Sequence, residues 1–265
     1  MNEFKDKVVI ITGASSGIGY ELTRQLAQQG AWLALAARRA EPLQQLAEEC
    51  RELSGRAEVV VTDVGIETQC QRLVERTIAA YGRIDVLVNN AGITMRARFE
   101  DMRVLAPFET VMRVNYLGSV FCTHYALPYL KQSKGHIVTV SSLAGKTGVP
   151  FRSGYSASKF ALAGFFETLR IELSEYGVSV TMVYPDYVQT ETRLQALGPD
   201  GNPLGNRPLR EGRMMTVQAA AAQIVLAMGA RKRELVMSTR GKLGQWLKLI
   251  APGIVDRIAA RAVQG

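Results

Sequence analysis

The sequence contains 265 residues, of which 47% are hydrophobic and 21% charged, as in globular proteins and unlike disordered ones. This length suits one α/β domain with a large core, and no run approaches the roughly 18 apolar residues of a membrane-spanning helix. The net charge of +8 is compatible with a nucleic-acid surface, an anionic membrane surface or local phosphate sites, but no basic block interleaved with aromatic residues favours nucleic acid.

Short apolar runs alternate along the chain with longer amphipathic stretches, as in parallel sheets whose strands are covered on both faces. The predicted strands are Val8–Thr12, Trp32–Ala37, Glu58–Val61, Ile84–Val88, His136–Ser141, Val178–Tyr184 and Leu235–Met237. The predicted helices are Ile18–Gln29, Glu41–Leu53, Thr68–Tyr81, Pro107–Lys131, Tyr155–Tyr176 and Thr216–Gly229. This order predicts an α/β fold, a single-domain doubly wound parallel sheet of the Rossmann type.

Two segments interrupt this alternation. Pro185–Arg213 contains three further prolines and four glycines, which predicts a long loop, with or without a short helix. Loops of this length in compact domains often form lids or binding loops. Residues 242–265 are predicted to form a C-terminal helical extension of the domain that residues 1–241 make up.

A glycine-rich turn follows the first predicted strand and leads directly into a helix. Its glycines permit a tight turn, and the free N–H groups and partial positive charge of the helix N-terminus favour a pyrophosphate. The spacing, G-x-x-x-G-x-G, differs from the usual dinucleotide fingerprint, and a purely structural turn is the alternative. The position between strand and helix favours a phosphate site formed by Gly13, Ser15, Ser16, Gly17, Ile18 and Gly19.

The second predicted strand ends in Ala37, Arg38 and Arg39, without an acidic residue. NAD enzymes place an acid there for the ribose 2′-hydroxyl, whereas NADP enzymes place a basic residue near the 2′-phosphate. A guanidinium can bind a phosphate through two donors. The sequence therefore predicts NADP(H) with Arg38 at the phosphate, while Arg39 either joins it or lies solvated at the helix start.

Tyr155 and Lys159 are four residues apart at the predicted start of a helix, so their side chains share one face. With an ordinary pKa of about 10, a tyrosine is a poor acid or base unless a nearby ammonium stabilises the phenolate. Ser142 lies thirteen residues before Tyr155, at the end of a predicted strand, where ligands bind in such sheets. These three residues are candidate catalytic groups.

With these motifs, the chain resembles the short-chain dehydrogenase/reductase family over nearly its whole length. The matching segments follow in order: Thr12–Gly19, Asp63-Val64, Asn89-Asn90-Ala91-Gly92, Asn115, Ser141-Ser142, Tyr155–Lys159 and Pro185–Thr190. Within the family, Ser142–Lys146 and Tyr155–Leu162 are similar to microsomal hydroxysteroid dehydrogenases and their bacterial relatives. This narrower likeness is local and does not identify a substrate.

The resemblance implies a role for each of four residues. Tyr155 would exchange a proton with the substrate oxygen, and Lys159 would lower the tyrosine pKa and bind the nicotinamide ribose. Ser142 would donate to the substrate carbonyl, where oxyanion charge develops. Asn115, in a long helix, would hold a water that links Lys159 to solvent; a polar side chain facing solvent is the alternative.

The resemblance also implies the cofactor contacts outside the glycine-rich turn. Asp63 and Val64 would contact the adenine ring. The segment after the fourth strand, Asn90, Ala91 and Gly92, would line the cofactor, and the segment after the sixth strand would contact the nicotinamide end through Pro185, Val188 and Thr190. The family usually has glycine where this chain has Asp186, which affects the local backbone and the pocket edge.

The expected function is NADPH-dependent hydride transfer between nicotinamide and a carbonyl or secondary alcohol. The candidate pocket walls, Leu143, Val149, Phe151 and Tyr187, are apolar or aromatic and fit a hydrophobic small-molecule substrate. Two other classes stay open: a catalytically silent NADP-binding regulatory or scaffold protein, and an epimerase or dehydratase of the same fold.

The C-terminal extension has apolar residues at helical spacing and basic residues beside them. The apolar set is Leu243, Trp246, Leu247, Ile250, Ile254 and Ile258, and the basic set is Lys242, Lys248, Arg257 and Arg261. Pro252-Gly253 is predicted to kink or split the helix. The stripe is expected either to pack on the domain or across a dimer, or to cap the pocket or lie on an anionic membrane.

The predicted long helices also carry more apolar residues than one core face needs. Members of the family usually pair through these helices, and two-fold homodimers are the commonest assembly, so a homodimer or homotetramer is expected. No secretory signal is recognised in Met1–Lys7, and a cytoplasmic protein is expected, with peripheral membrane contact left open. The few, scattered cysteines and histidines predict no metal site.

Overall fold

Parallel strands form one continuous sheet. The computed structural model describes residues 3–53, 55–190, 194–205 and 214–261, and all strand and helix statements refer to these. The strands are β1 (Val8–Thr12), β2 (Trp32–Ala37), β3 (Arg56–Val61), β4 (Val86–Asn89), β5 (His136–Val140), β6 (Ser179–Tyr184) and β7 (Glu234–Val236). They lie in the order β3-β2-β1-β4-β5-β6-β7, which confirms the predicted doubly wound sheet.

Helices cover both faces of this sheet. They are α1 (Gly17–Ala27), α2 (Ala40–Glu52), α3 (Glu67–Tyr81), α4 (Ala106–Met112), α5 (Gly118–Ser133), α6 (Ser153–Glu172), α7 (Val217–Gly229), α8 (Thr239–Ile250) and α9 (Pro252–Arg261). In β1, Val9 and Ile11 point into one core and Ile10 into the other, as the two-residue period of a strand requires. Both cores are buried because helices cover both faces of the strands that lie between the two edge strands of the sheet.

The predicted helix Pro107–Lys131 is present as one continuous helical run, but it is not α-helical throughout. A π-helical turn, Arg113–Leu117, separates α4 from α5 and contains Asn115. Such turns insert one residue into an α-helix and often occur at functional sites. Elsewhere the predicted boundaries match the structure or differ from it by one to four residues, because the ends of an element are where a pattern of apolar residues is least informative.

The carboxyl ends of the strands meet at one edge, and the order reverses beside β1, which lies between β2 and β4. Ligands of open α/β sheets bind in the crevice at such a reversal. The turns that follow β1, β2, β4, β5 and β6 carry Gly13, Arg38, Asn90, Ser142 and Pro185, respectively. The topology therefore brings the predicted site residues to one edge.

The C-terminal extension begins three residues earlier than predicted. Helix α8 starts at Thr239, where the Ser238 hydroxyl accepts a hydrogen bond from the Gly241 N–H, and α9 starts at Pro252. Proline is favoured in the first turn of a helix, so it splits the extension as predicted. Residues 262–265 lie outside the described residues.

One face of α6 is exposed and carries small or apolar side chains. Its exposed residues are Ala157, Phe160, Gly164, Thr168 and Ile171. The homo-oligomer expected from the sequence stays a prediction. Within the described residues, no helix combines the length and apolar character needed to span a membrane.

Candidate active site

A cavity of about 1210 Å³ opens at the carboxyl edge of the sheet. It is larger than the roughly 300–1,000 Å³ typical of a pocket for one small molecule, so a dinucleotide and a second molecule fit together. Of the residues predicted to form the site, all line this cavity except Gly19, Asn115 and Phe151. No group of three or more histidine, cysteine or acidic side chains suited to a metal ion occurs among the described residues.

The glycine-rich turn after β1 leaves no room for side chains. Gly13 has a φ of 67°, and a Cβ there would lie 2.8 Å from the Cα of Ala91. A Cβ on Gly19 would lie 2.3 Å from the Gly13 carbonyl oxygen, which explains why Gly19 packs the turn and does not line the cavity. The turn therefore requires glycine at both positions.

Thr12 and Asn90 hold this turn against the end of β4. The Thr12 hydroxyl accepts hydrogen bonds from the N–H groups of Asn90 (3.0 Å) and Ala91 (3.1 Å), and the Asn90 amide donates to the Thr12 carbonyl (2.9 Å). At the start of α1, Ser16 makes no side-chain capping bond with any described residue. The first N–H groups of α1 thus remain available to a phosphate, and the turn fits the pyrophosphate of a dinucleotide.

The end of β2 supplies positive charge to the same cavity. Arg38 and Arg39 are both exposed, and Arg39 donates to the Ser15 carbonyl at 3.3 Å. Arg38 makes no hydrogen bond or ion pair within the described ranges. Asp63, across the cavity, already accepts a hydrogen bond from the Gly65 N–H at 2.9 Å. Arg38 therefore presents an exposed positive charge to the cavity.

Tyr155 and Lys159 share one face of α6, as predicted. Tyr155 is half-buried in the first turn, and the Lys159 Nζ lies 5.7 Å from the centroid of its ring. Lys159 is buried and donates to the Val140 carbonyl at 3.0 Å. Burial lowers the pKa of Lys159 to about 8. Its ammonium is therefore still predominantly charged at neutral pH, close to the tyrosine whose phenolate it can stabilise.

Ser142 lies between the end of β5 and a short 3-10 turn, and its hydroxyl accepts a hydrogen bond from the Ala144 N–H at 3.2 Å. This bond occupies a lone pair of the oxygen and leaves its proton free to be donated. Ser142 lines the cavity together with Tyr155.

Asn115 does not face solvent, so that alternative is wrong. Its side chain is fully buried, with Oδ1 accepting from the Ile93 N–H (2.8 Å) and Nδ2 donating to the Ile93 carbonyl (3.0 Å) and to the Ser158 hydroxyl (2.9 Å). Ser158 in turn donates to the Tyr155 carbonyl at 2.7 Å. Asn115 thus connects the segment after β4 to the catalytic helix, and the sequence pattern contained no sign of its partner Ser158.

The predicted substrate residues separate into two places. Leu143, Val149 and Tyr187 line the main cavity, whereas Phe151 lines a neighbouring cavity of about 380 Å³. The Phe151 ring lies 5.6 Å from the guanidinium of Arg96 and 5.5 Å from that of Arg98. Phe151 has a φ of 65°, an unusual value for a bulky residue, which turns its side chain away from the main cavity.

Helices α8 and α9 form an apolar wall of the main cavity, which is one of the arrangements considered for the C-terminal extension. The residues that do so include Leu243, Trp246, Leu247, Ile250, Val255 and Ile258. The sequence pattern predicted the apolar stripe but not the surface that it contacts, because helical periodicity contains no information about that surface.

Asp186, where the family usually has glycine, anchors this wall. Its carboxylate accepts hydrogen bonds from the Ser238 hydroxyl and the Arg240 guanidinium, both at 2.7 Å. Arg240 also lies 5.3 Å from the centroid of the Tyr187 ring. The aspartate that replaces the family's usual glycine therefore makes a contact with the start of α8. The backbone of Asp186 does not adopt a positive φ, so glycine is not required there.

The comparisons with known proteins agree with this geometry. The family model described as short chain dehydrogenase matches residues 7–197. The chain belongs to the short-chain dehydrogenase family. Members of this family use nicotinamide cofactors, and the residues around the glycine-rich turn fit one.

Several members of the short-chain dehydrogenase family are similar to this chain. It is 48% identical over 184 residues to 11-beta-hydroxysteroid dehydrogenase-like 4A of Arabidopsis thaliana, covering 69% of this chain and 61% of that protein. It is 40% identical over 257 residues to 11-beta-hydroxysteroid dehydrogenase 1A of Arabidopsis thaliana (94% and 73%) and 36% identical over 256 residues to 11-beta-hydroxysteroid dehydrogenase A of Sesamum indicum (94% and 73%). The match thus spans about three-fifths of the first of these relatives.

Burial of Lys159 predicts a measurable effect on stability. Lys159→Met should raise the free energy of unfolding at pH 7 by roughly 1–3 kcal/mol, because the wild-type protein buries a charge whose pKa falls from 10.5 to about 8. The destabilisation that the buried charge causes in the wild-type protein is complete below pH 8. It disappears as the pH rises toward 10.5, since the folded state releases the proton before the unfolded state does.

Urea unfolding at pH 7 and pH 10 checks this prediction, and the difference between variant and wild type should shrink at pH 10. Lys5→Met, at an exposed position, is the control and should change stability little at either pH. A Lys159→Met protein that is less stable than wild type at pH 7 would contradict the prediction.

Proposed function

We propose that this protein is an NADP(H)-dependent oxidoreductase that interconverts a carbonyl group and a secondary alcohol on a hydrophobic substrate. The observation that carries the proposal is the pairing of half-buried Tyr155 with buried Lys159 in the cavity that also contains the glycine-rich turn. The apolar wall formed by α8 and α9 supports a hydrophobic substrate.

Nicotinamide, when bound, supplies or accepts the hydride. Tyr155 donates its hydroxyl proton to the substrate oxygen during reduction and takes a proton from the alcohol during oxidation. The Lys159 ammonium stabilises the phenolate that reduction leaves behind and lowers the pKa of Tyr155. The Ser142 hydroxyl donates a hydrogen bond to the same substrate oxygen as negative charge develops on it.

Tyr155→Phe should reduce turnover by about 10²–10⁴-fold, the usual contribution of general acid–base catalysis, because it removes the transferable proton and little else. Its Kd for NADPH should stay within about twofold of the wild-type value, since the ring is retained. Stopped-flow loss of NADPH absorbance with a panel of ketones measures the first quantity, and calorimetry measures the second.

The same assay distinguishes the other two classes of function. A regulatory or scaffold protein would bind NADPH but not consume it with any ketone or aldehyde. An epimerase or dehydratase would convert substrate with no net loss of NADPH. The presence of Asn115, Ser142, Tyr155 and Lys159 favours the oxidoreductase, because proteins that lose catalysis commonly lose one of these groups.

Exposed Arg38 supports the preference for NADP(H) over NAD(H). Arg38→Gln should weaken NADPH binding tenfold to a hundredfold, the range of about 1.5–3 kcal/mol expected for a charge-assisted hydrogen bond. Its affinity for NADH, which lacks the 2′-phosphate, should be unchanged and provides the internal control. Tighter calorimetric binding of NADH than of NADPH by the wild type would contradict the proposed cofactor.

We further propose that the mouth of the cavity contacts an anionic membrane surface. Trp246 and Ile250 line the cavity and are also 69% and 84% exposed, and Leu249 beside them is 77% exposed. Basic residues of α8 and α9, among them Lys242 and Arg257, are exposed as well. An exposed apolar surface flanked by positive charge fits the interface of an anionic bilayer, from which a hydrophobic substrate could enter directly.

Co-sedimentation with phosphatidylglycerol vesicles tests this contact. The wild type should sediment at low salt and less at high salt, and Leu249→Glu should abolish binding without unfolding the protein because Leu249 does not line the cavity. Leu226→Glu, at a 72% exposed position on α7, is the matched control and should bind as the wild type does. Equal sedimentation of both variants with the wild type would exclude this surface.

A further inference from the structure

Two arginines near the substrate end of the cavity make no ion pair with any residue that the structure describes. Arg152 lines the main cavity one turn before Tyr155, and half-buried Arg96 lies on the loop after β4. Neither forms an ion pair with a residue in the described part of the chain. The Ala97 N–H donates to the Phe151 carbonyl at 2.9 Å, so the backbone segments that carry the two arginines lie side by side. Burial and the charge of Arg152 lower the pKa of Arg96, and Tyr187 opposes this shift.

Other cations around this end are already satisfied. Arg240 pairs with Asp186 at 2.7 Å, and Lys146 pairs with Glu234 at 2.5 Å. Lys248 donates to the Lys146 carbonyl at 2.7 Å. Arg98, on the other side of the Phe151 ring, pairs with Glu100 at 3.2 Å.

The cofactor does not account for these charges. Its predicted phosphate residues, Arg38 and Arg39, follow β2, whereas Arg152 follows β5, three strands away. Neighbouring strands are about 4.8 Å apart, so roughly 14 Å separates the two positions across the sheet. The pyrophosphate site at the start of α1 lies between them, under β1. An anionic group at Arg152 therefore belongs to the second ligand.

The loop that carries these arginines is held in place. The Ala97 N–H donates to the Phe151 carbonyl at 2.9 Å, and the Arg96 N–H donates to the Leu197 carbonyl at 2.8 Å. Arg96 also stacks on the Phe151 ring, whose unusual backbone conformation sets the direction of the chain entering α6. These contacts fix the backbone of Arg96 and place its guanidinium near the Phe151 ring.

Much of the cavity lining is apolar, although Lys146, Lys248 and Arg240 also lie in it. Its walls include Leu143, Val149, Leu247 and Val255. A positive charge at one point of an apolar cavity is complementary to a molecule with a hydrocarbon body and one anionic group.

We propose that Arg152, supported by Arg96, forms a subsite for a carboxylate, and that the substrate is a hydrophobic carbonyl compound bearing an acidic group. The turnover of such a substrate rests on the proposed oxidoreductase function, whereas its binding at Arg152 does not. It assigns Arg152 a role in specificity that the sequence motifs do not indicate.

Calorimetric titration with decanoate and decanol tests the subsite without any reaction. Decanoate should bind the wild type at least tenfold more tightly than decanol, which has a body of the same length and no charge. Arg152→Gln should lose tenfold to a hundredfold in decanoate affinity and keep its affinity for decanol, as expected for one charge-assisted contact. Arg152→Lys, which keeps the charge, should lose less, and its binding keeps the test informative if the glutamine variant unfolds.

Arg98→Gln is the matched control, because Arg98 carries the same charge and also lies near the Phe151 ring, but it is paired with Glu100. It should bind decanoate as the wild type does. Equal affinity of the wild type for decanoate and decanol, or equal loss in the Arg98 and Arg152 variants, would overturn the subsite.

A turnover experiment separates this proposal from the proposed function. With NADPH, a keto-substituted stearic acid should show at least tenfold higher kcat/KM than its methyl ester in the wild type, and Arg152→Gln should remove the difference through KM. Equal turnover of acid and ester would leave the oxidoreductase standing and overturn the subsite. Binding of decanoate that depends on Arg152, with no turnover of any ketone that depends on Tyr155, would uphold the subsite and overturn the oxidoreductase.

Discussion

The buried ammonium of Lys159 is the constraint on which the site depends. Once a charge is removed from water it needs compensating contacts, and the Val140 carbonyl at the end of β5 provides one. The backbone of Lys159 is closely packed as well, because a Cβ on Gly145 would lie 2.7 Å from the Lys159 carbonyl oxygen. The strand end, the turn after it and the catalytic helix are therefore fixed relative to one another.

A second set of contacts places the cavity wall. Asp186 follows β6 at the edge where the cofactor is expected, and its carboxylate binds the first residues of α8. One side chain therefore joins the cofactor loop to the wall of the substrate region. Because α8 and α9 also expose apolar residues at the mouth, the elements that close the cavity are those best placed to meet a hydrophobic environment.

Three of the positive charges in this cavity bear on the proposals. At Lys159 the charge is buried, with its Nζ 5.7 Å from the centroid of the Tyr155 ring; at Arg38 it is exposed at the end of β2. At Arg152 it lies in the cavity lining, without an ion pair to any described residue. The proposed ligand sites thus give part of the net charge of +8 a local explanation, which a total charge alone cannot distinguish from a nucleic-acid surface.

The sequence by itself determined the parallel α/β fold, the glycine-rich turn and the pairing of Tyr155 with Lys159, because each depends on short-range spacing along one strand, turn or helix. Only the tertiary structure decided that Asn115 is buried against Ile93, that Asp186 binds Arg240 54 residues away, and that Ala97 is hydrogen-bonded to Phe151. These contacts join segments far apart in the chain, and the periodicity of one segment contains no information about which other segment it meets.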